Sequence, residues 1–487
     1  MHLPLRPSAL SVPLLLLCAC AGGLGGPAGS GNGLNHAPTA DAGGDRAILE
    51  SDLVTLDGTH SHDPDADPLR YRWSLTERPA QSAAALDDPR AATPTFFVDF
   101  VGVYRVRLVV DDGVAESAPV DITLTAGADD ALRVGPTRAL RTPSEAFAVA
   151  QDGAVIRIDA GTYRGDVATI ARNDLRIVGS GGDVRLLADG QSAQGKAIWV
   201  VQGSDTTIEG ISFEGCQVND GNGAGIRLEG GDLTVRRCRF LRNQMGFLCG
   251  DLTQTDLYFE GCEFGWSSST GALAHGIYVN RAHALEMRNC FVHDASRGHC
   301  IKSRAEQTRI LWCRVGDFAG GSSSYTIDIP DGGLAFLIGN VIHKGRNSQN
   351  EIAISFAEEH SGVHPIDALY VAHDTVVIDR SSGFFVRAAH GTAHLFDNVF
   401  CGPGGILEGQ GEQAGNLDSD TPGFVDRAGY DFRLAPGSAA IDAGIAAGGA
   451  YGTALVPAFE YRDVATCVPR VDGGAPDVGA FAFVATP

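Results

Sequence analysis

Helix-forming pattern is what this chain has least of. Only 3 of its 487 residues are methionine, 63 are glycine, and few stretches show the 3.6-residue apolar period of an amphipathic helix. That excludes a helical bundle and favours strands and turns. Past the first twenty residues no apolar run is long enough to span a bilayer. Positive charge is also in deficit. The formal net charge is −22, which argues against loose binding to the phosphates of nucleic acid. Zinc-ligand clusters, phosphate-cradling glycine loops and Ser/His/Asp triads have no convincing counterpart. The length suggests two or three domains.

What is present is a row of cysteines in one recurring pattern. It reads Val235-Arg236-Arg237-Cys238-Arg239-Phe240, then Phe259-Glu260-Gly261-Cys262-Glu263-Phe264. Met287-Arg288-Asn289-Cys290-Phe291-Val292 and Ile310-Leu311-Trp312-Cys313-Arg314-Val315 follow. Ile211 fills the same slot earlier, and Asn340 and Asn398 fill it later. Repeats of this length, with apolar residues two apart, predict a solenoid of short strands. Equivalent residues then stack about 4.8 Å apart in a parallel sheet. The cysteines form an inward column, where a free thiol behaves as a small hydrophobe. Adjacent coils also allow disulfide-compatible spacing, so the redox state stays open.

The first twenty residues read as a targeting signal. Arg6 supplies a basic region and Leu10 to Leu17 a short apolar run. Leu17-Cys18-Ala19-Cys20 resembles a bacterial lipoprotein cleavage box. That resemblance implies lipidation at Cys20 and export to the cell envelope, at the outer membrane. An ordinary secretory signal is the alternative. Residues 21–35, rich in Gly, Ala and Ser, read as a flexible tether.

Residues 36–126 alternate apolar and polar in short runs, such as Tyr104-Arg105-Val106-Arg107-Leu108-Val109-Val110, and predict a small antiparallel sandwich. Leu56-Asp57-Gly58-Thr59-His60-Ser61-His62-Asp63-Pro64-Asp65, Tyr71-Arg72-Trp73 and Val110-Asp111-Asp112-Gly113 closely resemble a PKD domain, an immunoglobulin-like module. Trp73 is its expected core aromatic. The resemblance implies a spacer or a weak carbohydrate- or protein-binding module. Asp63, Asp65 and Asp67 offer hard oxygen ligands at a spacing that can hold Ca²⁺, or they form a solvated turn.

Ser144 to Ala150 read as a short helix, followed by Ala154-Val155-Ile156-Arg157-Ile158. This resembles the entry coil of right-handed parallel β-helix proteins, in which a helix covers the open end of the core and protects the first edge strand. The expected β-helix spans 127–400. Asp431-Phe432-Arg433-Leu434-Ala435-Pro436-Gly437-Ser438-Ala439-Ala440-Ile441-Asp442-Ala443-Gly444 and Asp477-Val478-Gly479-Ala480-Phe481 resemble segments seen at the end of bacterial β-helix proteins, so 401–487 reads as a loop-rich C-terminal cap region, in which a Cys401–Cys467 disulfide stays open. The fold class expected is all-β: an immunoglobulin-like sandwich followed by a right-handed parallel β-helix.

Chemistry concentrates on a second recurring strand: Gly276-Ile277-Tyr278-Val279-Asn280, Cys300-Ile301-Lys302-Ser303-Arg304 and Thr326-Ile327-Asp328-Ile329-Pro330. Alternation turns the isoleucines in and the residues between them out. Tyr278, Lys302 and Asp328 then form one outward column, with Asn280 and Arg304 in the next. His275 and His299 line the strand entry, and Asn280, with Arg227, Asp331 and Glu351 nearby, is a substrate-binding candidate. Residues 227–316 carry twelve basic and nine acidic side chains in a strongly acidic chain, as a site for an anionic ligand would. An ordinary solvated sheet with cross-strand ion pairs is the plain alternative.

Removing the proton beside a uronate carboxylate needs a cation on that carboxylate, a base, and an acid for the leaving oxygen. Lys302 suits the base, Arg304 the carboxylate fork, and Tyr278 or a histidine the acid. Ile301-Lys302-Ser303, Thr326-Ile327-Asp328-Ile329-Pro330-Asp331-Gly332 and Ile338-Gly339-Asn340 resemble the alginate lyase and chondroitinase B family, whose catalytic lysine maps onto Lys302. The family's arginine falls at Pro330, and Arg297 and His299 stand where its calcium-binding glutamates would be. A glycoside hydrolase would instead use Asp328 with Asp331 or Glu351. The expectation is therefore an exported, lipid-anchored, monomeric β-helix protein that acts on or binds an acidic polysaccharide. Non-catalytic glycan or protein binding and hydrolysis are the alternatives, with Ca²⁺ as a candidate cofactor and no nucleic-acid partner.

Overall fold

The computed structural model describes residues 35–483 apart from 51, 66, 129, 319 and 446. The expected signal, tether and lipidated Cys20 lie outside the described residues. No helix among the described residues is long and apolar enough to cross a membrane.

The N-terminal unit is built on strands Arg46–Leu49, Val120–Gly127, Gly102–Asp111 and Arg70–Glu77, hydrogen-bonded in that order. A second pair, Leu53–Thr55 with Thr95–Phe97, faces them. Tyr104, Val106, Leu108 and Val110 alternate into the core between the sheets, as a period of two requires. Trp73 is buried among them, and its indole N–H donates to the Ala91 carbonyl at 3.1 Å. Glu50, just after the first strand, meets Arg157 at 2.7 Å and also pairs with Arg133. Both arginines belong to the opening strands of the next unit, so this contact ties the two together.

That unit is a parallel β-helix whose coils run from Leu132–Val134 to Leu417–Asp418. Each coil contributes a strand to three walls. The wall that matters here stacks Ala197–Val201, Ala224–Leu228, the start of Met245–Glu260, the start of Ile277–Arg288, then Ile301–Ser303, Ile327–Ile329, Ile352–Phe356 and the start of Phe384–Phe396. The stack continues one coil past 400, through Gly405–Ala414. The interior is filled by aligned apolar columns. Phe240 stacks on Phe213 at 5.1 Å and on Phe264 at 4.6 Å. The short helix Pro143–Val149 closes the entrance, with Phe147 set edge-on to Trp199.

The cysteine column lies at one corner of every coil. The residue before each column position is left-handed: Arg237, Gly261, Asn289, Trp312, Gly339, His373 and Asp397 all have φ between 39° and 67°. The side chain that follows each of these turns is buried in the interior. Cys238, Cys262, Cys290 and Cys313 are fully buried free thiols, each donating Sγ–H to the carbonyl two residues back. From Asn340 the slot turns polar. Asn340, Asp374, Asn398 and Asn416 pass hydrogen bonds from coil to coil, with Asn340 Oδ1 accepting from Cys313 N–H at 2.8 Å.

Apolar packing places the tail. It lies along the side of the β-helix rather than over its end. Phe432, Leu434, Val478 and Phe481 pack on Val341, Val377 and Val399, and Asp463 pairs with Arg314 at 3.0 Å. Cys401 and Cys467 are not bridged. Both are free, since Cys467 belongs to the hairpin Phe459–Arg462/Thr466–Pro469 while Cys401 is sealed under the tail.

Candidate functional site

The alternation of Ile277, Val279, Ile301, Ser303, Ile327 and Ile329 into the core leaves Tyr278, Lys302 and Asp328 in strict register on the outside of one wall. Ser355, Arg387 and Glu408 extend the column. Lys302, one of three lysines in the chain, lies 5.8 Å above the Tyr278 ring, a cation–π contact. Its Nζ is 3.3 Å from Asp328 and 3.4 Å from Glu359. Arg304 pairs with Asp331 and reaches Glu359 at 2.5 Å. The network therefore runs Asp328, Lys302, Glu359, Arg304, Asp331, alternating in sign.

Behind it stands an imidazole ladder. His275 Nδ1 accepts the His299 N–H at 2.9 Å, and His299 Nδ1 accepts the Tyr325 N–H at 3.1 Å. The rings of His275 and His299 are 5.0 Å apart, and Tyr325 stacks on His299. With Nδ1 accepting, the neutral tautomer carries its proton on Nε2. His299 Nε2 points at Asp328, 3.4 Å away. Burial, helped by the Lys302 charge, holds His275 down to about 3. Burial, then the neighbouring His275 and Lys302, hold His299 down to about 2. Both are held neutral by burial, so a histidine acid here would act from the neutral Nε2–H. They fix the wall and orient Asp328.

The carboxyls divide. Burial pushes Asp328 up to about 6, against the pull of Lys302. Glu359, half exposed, is held below the usual range by its hydrogen bond from Arg304 and by Lys302. Arg304 is held as a cation, because Glu359, Asp331 and Tyr278 outweigh the cost of its burial. One proton-exchanging acid and one firm carboxylate thus flank two cations.

Not every expected residue joins. Tyr278 does join, through its ring under Lys302 and its contact with Arg304, and its hydroxyl donates to Asn280 Oδ1 at 3.4 Å, at the edge of the network. Arg227 shares the column, but Leu248 separates it from Tyr278, and it lies 3.7 Å from Glu229. Glu351 is exposed at the head of its strand, where Ser382 Oγ donates to it at 3.2 Å; among the described residues it joins no partner in the Lys302–Arg304 network. The residue missed from sequence is Glu359. It sits in the eleven-residue connection 357–367, where the two preceding coils have connections of three and four residues, 304–306 and 330–333. That insertion was the available signal.

Among the described residues one acidic group converges enough for a cation: the ligand oxygens of Asp63, Asp65 and Asp67 lie within 4.8 Å of one another. Asp63 Oδ1 accepts the N–H groups of Asp65 and Asp67, while Oδ2 is buried without a hydrogen bond. Asp65 is already engaged by the main chain and ring of His36.

Residues 35–124 match the PKD domain family. Among solved structures, the pectate lyase Pel9A superposes with a TM-score of 0.52 at 15% identity, covering 72% of this chain and 97% of that one. The family 28 exopolygalacturonase of Yersinia enterocolitica gives a TM-score of 0.29 at 11% identity, covering 80% and 99%. No curated protein matches the chain. The protein is a PKD domain followed by a right-handed parallel β-helix of the pectate-lyase-like fold.

Proposed function

We propose that the wall carrying Tyr278, Lys302 and Arg304 binds a uronate-bearing polysaccharide and cleaves it by β-elimination. The observation that supports this is the outward pairing of Lys302 and Arg304 around a single carboxylate, that of Glu359. A uronate carboxylate has the same charge and fork geometry. Arg304 holds that carboxylate and stabilises the charge that spreads onto it. Lys302 first passes its own proton to the Asp328 carboxylate 3.3 Å away; its neutral amine then takes the adjacent C5 proton, the C–H electrons form the C4–C5 double bond, and the C4–O bond breaks. The Tyr278 hydroxyl gives its proton to the departing oxygen.

A second reading has its own support. Asp328, pushed up to about 6, has the protonation behaviour of a glycosidase general acid. The two differ in product: elimination leaves an unsaturated uronate end, hydrolysis only a new reducing end. The test is ultraviolet absorbance and reducing-end assay on a panel of uronate polysaccharides, with calcium present. Pectate comes first because it is what the protein with the shared fold is named for. Unsaturated ends support elimination; reducing ends alone favour Asp328; neither product from any polymer overturns both.

Export and a lipid anchor at Cys20 complete the proposal, with a surface glycan as the partner. A calcium ion, where bound, would be held by Asp63, Asp65 and Asp67 and would cross-link their loop.

A further inference from the structure

Lys302 and Arg304 do not wait open for a ligand. Glu359 spans them, one oxygen toward Lys302 Nζ at 3.4 Å and the other toward Arg304 Nη2 at 2.5 Å. Its side chain is 52% exposed, whereas those of Lys302, Arg304, Asp328 and Asp331 are 12%, 16%, 2% and 7% exposed. Glu359 is thus the outermost member of the network. Its main chain is fixed independently: the Glu359 N–H donates to the Pro330 carbonyl at 2.9 Å, and the Ala357 N–H to Ile329 at 2.8 Å. The carboxylate can therefore swing into water by side-chain rotation while the connection 357–367 stays seated. The charges agree. With three carboxylates against two cations the network carries a surplus negative charge, which repels an anionic sugar; without Glu359 the cations are matched by Asp328 and Asp331 alone.

We propose that Glu359 is an internal stand-in for the substrate carboxylate, and that a uronate ligand binds by exchanging with it on Lys302 and Arg304. The proposal rests on the reading of this wall as a uronate site. It makes Glu359 a specificity-determining residue. A neutral sugar offers no replacement for the two ion pairs and leaves Glu359 in place. A uronate replaces both pairs, and the displaced carboxylate is rehydrated. The competing internal ligand lowers the apparent affinity by the fraction of molecules in which the cations are free.

The experiment is calorimetric titration of the full chain, and of its E359Q and E359A variants, with trigalacturonate and with its fully methyl-esterified counterpart. Both variants change a half-exposed side chain, and two different replacements guard against a fold defect in either. The expected result is trigalacturonate binding about three- to tenfold tighter in both variants, with the neutral ester unchanged. Wild-type binding that is equal or tighter than that of both variants would overturn the role of Glu359 while leaving the uronate site standing. Absence of binding by all three proteins, repeated with alginate and glucuronan trimers, would overturn the uronate site itself and this inference with it.

Discussion

Lys302 Nζ stands 3.3 Å from the carboxylate of Asp328, in register on adjacent strands, yet Asp328 is pushed up to about 6 rather than down. Desolvation wins because Asp328 is almost fully buried and the opposing charge touches only one of its oxygens. The pair therefore combines a cation at the surface with an acid that exchanges its proton near neutrality.

A pH dependence follows. In the unfolded chain this carboxyl titrates near 3.8, so between about 4 and 6 the folded state binds the extra proton. Its contribution to stability is fully present below that window and is lost as pH rises through it. Denaturant unfolding of wild type and D328N across these values isolates the group. Wild type should lose about 1–3 kcal/mol relative to D328N from the bottom of the window to the top. A constant difference would show that Asp328 titrates normally.

Asn340 joins the thiol half of the corner column to the amide half. It satisfies the Cys313 N–H and the Ile310 carbonyl, both at 2.8 Å, with no exposure of its own. N340A should cost about 2–5 kcal/mol, because two buried main-chain groups lose their partner. N340C should cost less, about 1–2 kcal/mol, since Cys313 Sγ already receives the Cys290 N–H at 3.3 Å in the coil before. Chemical denaturation of the two variants checks the order.

The column cysteines should be chemically silent. Burial pushes the Cys238, Cys262 and Cys290 thiols well up, and Cys467, the least buried, up to about 11. Ellman's reagent at mildly alkaline pH should find no fast thiol among these four in the native protein and all of them after unfolding without reductant. A shortfall after unfolding would reveal a disulfide.

Arg304 should not tolerate lysine. Its guanidinium reaches Asp331 and Glu359 with different nitrogens, which a single ammonium does not reproduce. In R304K the KM for the cleaved uronate polymer should rise about tenfold and kcat should fall by a similar factor, because the fork both holds the carboxylate in the ground state and stabilises the charge that spreads onto it in the transition state. Steady-state kinetics would show both.

Much of this arrangement was legible in the sequence. The slot before Arg239, Glu263, Phe291 and Arg314 recurs with an inward residue, so the corner column and coil length could be read directly. From the register, simple alternation put Tyr278, Lys302 and Asp328 together on one face. What could not be read was anything carried by connections, which obey no period. Glu359 enters through an insertion, and Glu351 is drawn to Ser382 on the next coil. The tail folds back along the wall because Phe432 and Phe481 find apolar partners there at Val341 and Val399; sequence gave its composition but not its destination. The neutrality of His275 and His299 depends on burial and on each Nδ1 taking a main-chain N–H, and neither is visible in a motif.

The most direct test of the central claim is the initial rate at which unsaturated uronate ends form, measured for wild type and K302A with equal unfolding midpoints. The account predicts a rate in wild type on at least one uronate polymer and its fall by about a hundredfold or more in K302A. Equal rates in the two proteins would contradict it.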